Sequence, residues 1–177
     1  FSHGNAGNIG HRFGTFDVLL HSGVNVLGYD YRGYGRSDGK PSEEGTYKDL
    51  LAAYDWLMSQ KEFAADKIIV HGNSLGGGVT SWLPTVRTVG GMILQSTFTS
   101  TPDIGKELFP WLPVDLISTI KYDTVNRVPQ CRAPVLVIHG PDDTLIPFHH
   151  AERNFAAASE PKFLWKLRGD HNDSIAD

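Results

Sequence analysis

Basic runs, cysteine pairs and long apolar stretches are all scarce in this chain, and each scarcity removes a class of function. Lysine and arginine together number 16 against 20 aspartates and glutamates, for a formal net charge of -4, and no stretch concentrates the positive charge. That leaves no electrostatic footprint for nucleic acid as a partner. The single cysteine, Cys131, cannot form an internal disulfide. It precedes an apolar run with no histidine or glycine turn beside it to activate the thiol, so it reads as structural. No apolar run approaches the roughly 20 residues that span a bilayer. There is no H-E-x-x-H and no Cys/His pair at ligand spacing, so no metal is expected. The glycine loops lack both the Gly-Lys-Ser/Thr ending of a phosphate loop and the G-x-G-x-x-G of a dinucleotide site, so no organic cofactor is expected either.

What remains is the composition of an ordinary globular domain: 177 residues, 40% hydrophobic and 20% charged, enough for one domain with one core. The chain opens on Phe1-Ser2-His3-Gly4, which reads as the end of a strand running into a glycine loop. Further strands are therefore expected upstream, and with them any targeting or anchoring segment. A cytoplasmic location is favoured, and membrane association stays open.

The most informative stretch is Lys67-Ile68-Ile69-Val70-His71-Gly72-Asn73-Ser74-Leu75-Gly76-Gly77-Gly78. Its apolar run reads as a strand buried on both faces, and a helix is expected to follow. Between them stands G-x-S-x-G, with Gly72 and Gly76 flanking Ser74. A sharp strand-to-helix turn needs flanking positions without a Cβ, because neighbouring backbone comes too close for a side chain. The same pattern also arises in ordinary glycine loops, so the partners of Ser74 decide its meaning.

Elsewhere, periodicity sets out alternating elements. Ile9, Phe13, Phe16 and Leu20 fall at helical spacing, with Gly23 as the stop, and Val24 to Asp30 reads as a strand. The glycine-rich loop 31–41 follows. From Ser42, the residues Tyr47, Leu50, Leu51, Tyr54, Leu57 and Met58 step by three and four, marking a helix with one buried face. The helix after Ser74 is expected to reach Trp82 before Pro84 stops it. Met92 to Gln95 and Pro134 to Gly140 read as buried strands, Ala151 to Ala158 as a polar helix, and Lys162 to Leu167 as the last strand. Prolines break up 97–132, which reads as a short lid-like excursion carrying the apolar cluster Leu108, Phe109, Trp111 and Leu112. The sum is a single α/β domain over 1–177, with a mostly parallel sheet and helices on both faces.

In such sheets the ligand site lies outside the carboxyl ends of the strands. Applied here, that filter leaves Ser74, the pair Asp142 and Asp143, and Asp170 with His171, in the order Ser, Asp, His. This order resembles the α/β-hydrolase superfamily, and the likeness extends over nearly the whole chain. His3-Gly4-Asn5-Ala6-Gly7-Asn8 is similar to its oxyanion loop and Tyr31-Arg32-Gly33-Tyr34-Gly35-Arg36-Ser37 to the loop after its fourth strand. His139-Gly140-x-x-Asp143-x-x-Ile146-Pro147 is similar to its acid turn, and Gly169-Asp170-His171-Asn172-Asp173 to its histidine loop. Within the superfamily, Ser2-His3-Gly4-Asn5-Ala6, Tyr29-Asp30-Tyr31-Arg32-Gly33-Tyr34-Gly35 and His171-Asn172-Asp173 most resemble the branch of acyl-protein thioesterases (depalmitoylases) and their bacterial relatives, which lacks a large cap domain.

The resemblance implies that Ser74 attacks an acyl carbonyl, that His171 takes and returns the proton, and that Asp143 orients His171. Asp142 is the competing acid. Asp143 is preferred because it matches the family's aspartate four residues after the histidine. The oxyanion would be held by the backbone N–H of Leu75 and by one from the His3 loop, Asn5 ahead of Ala6. The implied activity is cleavage of carboxylic esters or thioesters through an acyl-enzyme, on a small-molecule or lipid-like acyl substrate, with the cluster near Trp111 as an apolar wall for the acyl chain. A peptidase using the same triad, and a catalytically silent binding protein, are the rival readings. His71 and His139 read as structural, His149 and His150 as solvated, and Arg32 as a loop anchor.

Overall fold

The computed structural model describes residues 1–60 and 63–171. At its centre is a parallel sheet in the order β1 (Ile69–Asn73), β2 (Gly91–Gln95), β3 (Val135–His139), β4 (Lys162–Lys166). The register sets Val70 beside Met92, Met92 beside Val135, and Val137 beside Leu164. One face of the sheet is therefore Val70, Met92, Leu94, Val135 and Val137, all buried. Full burial of each such side chain stabilises the fold by about 1.5–3 kcal/mol. Against it pack the helices that follow the strands, α3 (Leu75–Thr80) on β1 and β2 and α7 (His149–Ala157) on β3 and β4.

The opposite face is less covered. Ile69, Phe163 and Trp165 are 56%, 58% and 60% exposed, so the run Ile68-Ile69-Val70 is buried on one face rather than on both. α1 (Phe13–His21) lies at one end of that face, where Phe16 meets the ring of Phe1, but its Phe13 and Leu20 project into solvent. Gly23 ends α1 as its composition suggests, with φ of +82°.

α2 (Glu43–Ser59) begins where Ser42 caps the Gly45 N–H, and it buries Tyr47, Leu50 and Tyr54 on the periodic face. Three expectations need correction. The segment from Val24 to Asp30 forms a single bridge, Tyr29 to Ser2, beside which the Phe1 amino group donates to the Leu27 carbonyl at 2.7 Å. Ser2 pairs on its other side with Gly72, so it sits between the two. α3 ends at Thr80 rather than at Trp82, and Pro84 opens a separate 3-10 turn, Leu83–Thr85. The excursion 97–132 contains three short helices, α4 (Thr101–Leu108), α5 (Val114–Ile117) and α6 (Thr124–Arg127). It is anchored by Ile104, Val114, Tyr122 and Val128, while Trp111 and Leu116 are 76% and 86% exposed. The carboxylate of Glu43 ties it to α2 by accepting from the Lys121 and Tyr122 N–H groups. Among the described residues no helix is long and apolar enough to cross a membrane.

Candidate active site

Ser74 stands between β1 and α3 with φ of +52°, a left-handed conformation that a non-glycine residue holds only when its surroundings enforce it. They do so through backbone contact. A Cβ on Gly72 would come within 2.2 Å of the Gly76 carbonyl oxygen, and one on Gly76 within 1.9 Å of the Ser2 carbonyl oxygen. The Ser74 N–H donates to the Gln95 carbonyl at 2.9 Å and the Thr97 hydroxyl to the Ser74 carbonyl at 2.6 Å. The strained turn is thus pinned from β2 and its following loop, and the hydroxyl is left at the carboxyl edge of the sheet.

Three loops that follow different strands converge there. Ser74 Oγ lies 3.1 Å from His171 Nε2, and His171 Nδ1 lies 2.8 Å from Asp143 Oδ2. Asp142 is exposed and takes no part, so of the two neighbouring acids Asp143 meets the histidine. The Asp143 carboxylate is almost fully buried and receives four donors. The N–H groups of Leu145 and Ile146 donate to Oδ1 at 3.0 and 2.7 Å, and His139 Nε2 lies 3.1 Å from Oδ2 alongside His171. Burial by itself would raise its pKa, but the donors from His139, His171 and Ile146 outweigh it and hold the carboxyl well below the usual range. A charged acid is therefore stable in this site.

The histidine loop is fastened to the acid loop by Asp170. Its Oδ1 accepts from the Thr144 N–H and from the His171 N–H, each at 2.7 Å, and Thr144 Oγ1 adds a bond of 2.9 Å. The two loops also touch directly, since a Cβ on Gly140 would meet the Gly169 carbonyl oxygen at 2.6 Å. Position after β4 marks Asp170 in the sequence, but nothing there announces a clamp across 26 residues.

The His3 loop passes beside Ser74, where a Cβ on Gly4 would stand 3.4 Å from that of Ser74. His3 is buried beneath it, with Nδ1 2.7 Å from the Gly4 carbonyl and Nε2 3.3 Å from Asp30. Burial lowers its pKa. The Tyr31 hydroxyl donates to the His3 carbonyl at 2.8 Å, and the Tyr34 hydroxyl donates to Asn5 Oδ1 at 2.7 Å. The Asn5 side chain is thereby engaged by Tyr34. Leu75, directly after Ser74, is the first residue of α3, and Asn5 follows Gly4 in this loop.

Arg32 is an anchor, since its guanidinium forks onto Asp49 at 2.7 and 3.1 Å. His71 is buried against Gln95, and burial lowers it to about 4, so it is neutral. His139 is buried as expected, yet it also touches Asp143, a contact that its place in the strand does not reveal. Cys131 is buried, which pushes its thiol up and away from reactivity. His150 is not solvated: its side chain is fully buried, because the first turn of α7 packs under Thr99. Asn172 and Asp173 lie outside the described residues.

Comparison with known proteins agrees with this architecture. The uncharacterized protein Rv2307c of Mycobacterium tuberculosis is 40% identical over 172 residues, covering 96% of this chain and 61% of its own. The lysophosphatidylserine lipase ABHD12 of Danio rerio is 33% identical over 93% of this chain and 48% of its own. The chain therefore spans less than two thirds of the length of either curated relative. Among solved structures, the Pyrococcus furiosus esterase Pf2001 matches with a TM-score of 0.73 at 25% identity, covering 97% of this chain and 72% of that one. Residues 1–116 match the family model described as alpha/beta hydrolase fold, and with the parallel sheet and turn geometry above, the chain belongs to the α/β-hydrolase fold family.

Proposed function

We propose that this protein is a serine hydrolase that cleaves carboxylic esters or thioesters through an acyl-enzyme. The observation that carries the reading is the continuous contact from Ser74 Oγ through His171 to Asp143, at 3.1 and 2.8 Å. A serine hydroxyl is a weak nucleophile at neutral pH until a base takes its proton in the act of attack. His171 Nε2 is in place for that, provided Nδ1 carries the ring's hydrogen, and the charged Asp143 carboxylate enforces that tautomer. Ser74 Oγ then bonds to the acyl carbon while its proton moves to His171. The oxyanion is met by the N–H of Leu75 and the N–H of Asn5. Collapse expels the alkoxide or thiolate, which takes the proton from His171, and a water activated by the same imidazole releases the acid.

The names of the relatives support acyl chemistry, a lysophosphatidylserine lipase in one case and an esterase in the other. The motifs around His3, Arg32 and His171 favour the acyl-protein thioesterase branch, with a lipid-like acyl group as substrate. The cluster at Phe109 and Trp111 is largely exposed, at 47% and 76%, so the expected apolar wall is not assembled there. A panel of p-nitrophenyl esters, acyl thioesters and anilides of graded chain length tests the proposal. Turnover of esters and thioesters with an initial burst of leaving group is expected. Cleavage of anilides at comparable rates would favour a peptidase, and absence of turnover on the whole panel would overturn the reading.

A further inference from the structure

At the start of α7, two histidines and a carboxylate face one another without any part in the reaction above. Glu107 sits in the last turn of α4, and His149 and His150 form the first turn of α7. Glu107 Oε1 lies 2.9 Å from His149 Nε2 and 3.4 Å from His150 Nε2, and the three donor atoms are all within 4.8 Å of one another. The imidazoles are stacked, 4.5 Å between centroids and 29° between planes, so both present a nitrogen to the carboxylate. His150 is fully buried, and its Nε2 has no hydrogen-bond partner among the described residues.

We infer that Glu107, His149 and His150 form a binding site for a zinc-type divalent cation that staples the excursion 97–132 to the helix following the acid loop. Two imidazoles and one carboxylate are the donor set such ions take, with water in the fourth position. A tetrahedral ion with bonds of 2.0–2.1 Å separates its ligand atoms by about 3.3 Å. The His150 to Glu107 spacing already has that value, and the His149 to Glu107 contact needs to open by only about 0.4 Å.

The shell behind the ligands also fits. His150 Nδ1 lies 2.9 Å from Thr99 Oγ1, whose hydrogen goes to Asp103 Oδ2 at 2.6 Å, and Asp103 is held by Arg153 at 3.1 Å. A histidine that gives its Nε2 lone pair to a metal needs an acceptor for the hydrogen on Nδ1, and Thr99 Oγ1 is one. The Thr99 N–H lies 3.2 Å from the same Nδ1, a longer contact than that of Thr99 Oγ1. A bound ion on Nε2 selects the tautomer that gives Nδ1–H to Thr99 Oγ1. The His149 side chain is 46% exposed, so its Nδ1 can meet solvent while Nε2 faces Glu107. Sequence spacing conceals the site, since Glu107 and His149 are 42 residues apart.

The test is calorimetric titration of the untagged, chelator-stripped full chain with zinc chloride, paired with the visible spectrum of its cobalt(II) form. One saturable site and a cobalt spectrum of four-coordinate intensity are expected. Glu107→Gln and His149→Ala, both at partly exposed positions, should each weaken binding about tenfold or more, and Thr99→Val should weaken it about 10- to 100-fold. His171→Ala and His21→Ala should leave it unchanged. Absence of saturable binding, affinity unaffected by Glu107→Gln and His149→Ala, or loss of binding in His171→Ala would each overturn the inference. These outcomes do not depend on turnover, so failure of the proposed activity is scored separately.

Discussion

Replacing Asp143 by asparagine alters no more than one atom of the side chain, yet the contacts around it dictate a large loss. Oδ1 accepts from two backbone N–H groups, Leu145 at 3.0 Å and Ile146 at 2.7 Å, so the amide oxygen of the substituted side chain must stay there. The NH2 group is then forced into the place of Oδ2, where His171 Nδ1 and His139 Nε2 approach at 2.8 and 3.1 Å. His139 keeps its hydrogen on Nε2, which also donates to the Ile146 carbonyl at 2.8 Å. His171 is free to change. It becomes an acceptor at Nδ1 and carries its hydrogen on Nε2, pointed at Ser74, where it can no longer remove a proton. The wrong tautomer lowers kcat by about 10⁴-fold, or about 5 kcal/mol in activation free energy. KM should hardly change, because Asp143 is buried behind His171. The unrelieved contact with His139 costs about 1–3 kcal/mol of stability. Steady-state ester hydrolysis, with circular dichroism to check folding and Asp142→Asn as control, measures both. A folded Asp143→Asn enzyme within tenfold of the wild-type kcat would refute the tautomer argument.

Three further outcomes follow from the same geometry. Ser74→Ala and His171→Ala should each reduce kcat by several orders of magnitude, with the double variant little worse than either, because they serve one step; additive losses in steady-state assays would separate their roles. Asp170→Ala should lower kcat about 10- to 100-fold with KM little changed, since releasing Thr144 from His171 loosens a Ser74 contact already at 3.1 Å. Asp170→Asn, whose amide oxygen still accepts both N–H groups, should restore most of it, and a wild-type kcat in Asp170→Ala would exclude the clamp. Asp143 is held below its unfolded pKa of about 3.9, so it contributes stability that is present above that pH and is lost as pH falls toward the folded value. Thermal melts should fall below about pH 4 by up to about 1.4 kcal/mol per pH unit, a component absent in Asp143→Asn.

The turn and the meeting of Ser74, His171 and Asp143 are legible in the sequence because their geometry is local or ordered. Gly72, Ser74 and Gly76 act within one strand-to-helix joint, and strand ends bring Asp143 and His171 to the same edge. The choice between Asp142 and Asp143 rests on a motif, and the structure supplies its physical cause, two backbone N–H groups that cap Asp143 and leave Asp142 outside. Pairing and burial are less legible, because both depend on what lies alongside. Val24 to Asp30 has strand composition but forms a single bridge, and Ile69 has a core side chain on a face where it is 56% exposed. His150 reads as solvated among polar neighbours, yet the loop at Thr99 covers it. Tyr34 on Asn5 and Asp170 on Thr144 span 29 and 26 residues, beyond what any local spacing shows.

The central claim is that Ser74 is a nucleophile activated by His171 and Asp143, and covalent labelling tests it most directly. A fluorophosphonate reacts with an activated serine hydroxyl and not with an ordinary one. Incubated with the folded protein and analysed by peptide mass spectrometry, it should modify Ser74 stoichiometrically, and His171→Ala should slow the labelling by orders of magnitude. Absence of modification at Ser74 in folded protein, or labelling of Ser74 at the same rate when His171 is removed, would contradict the account.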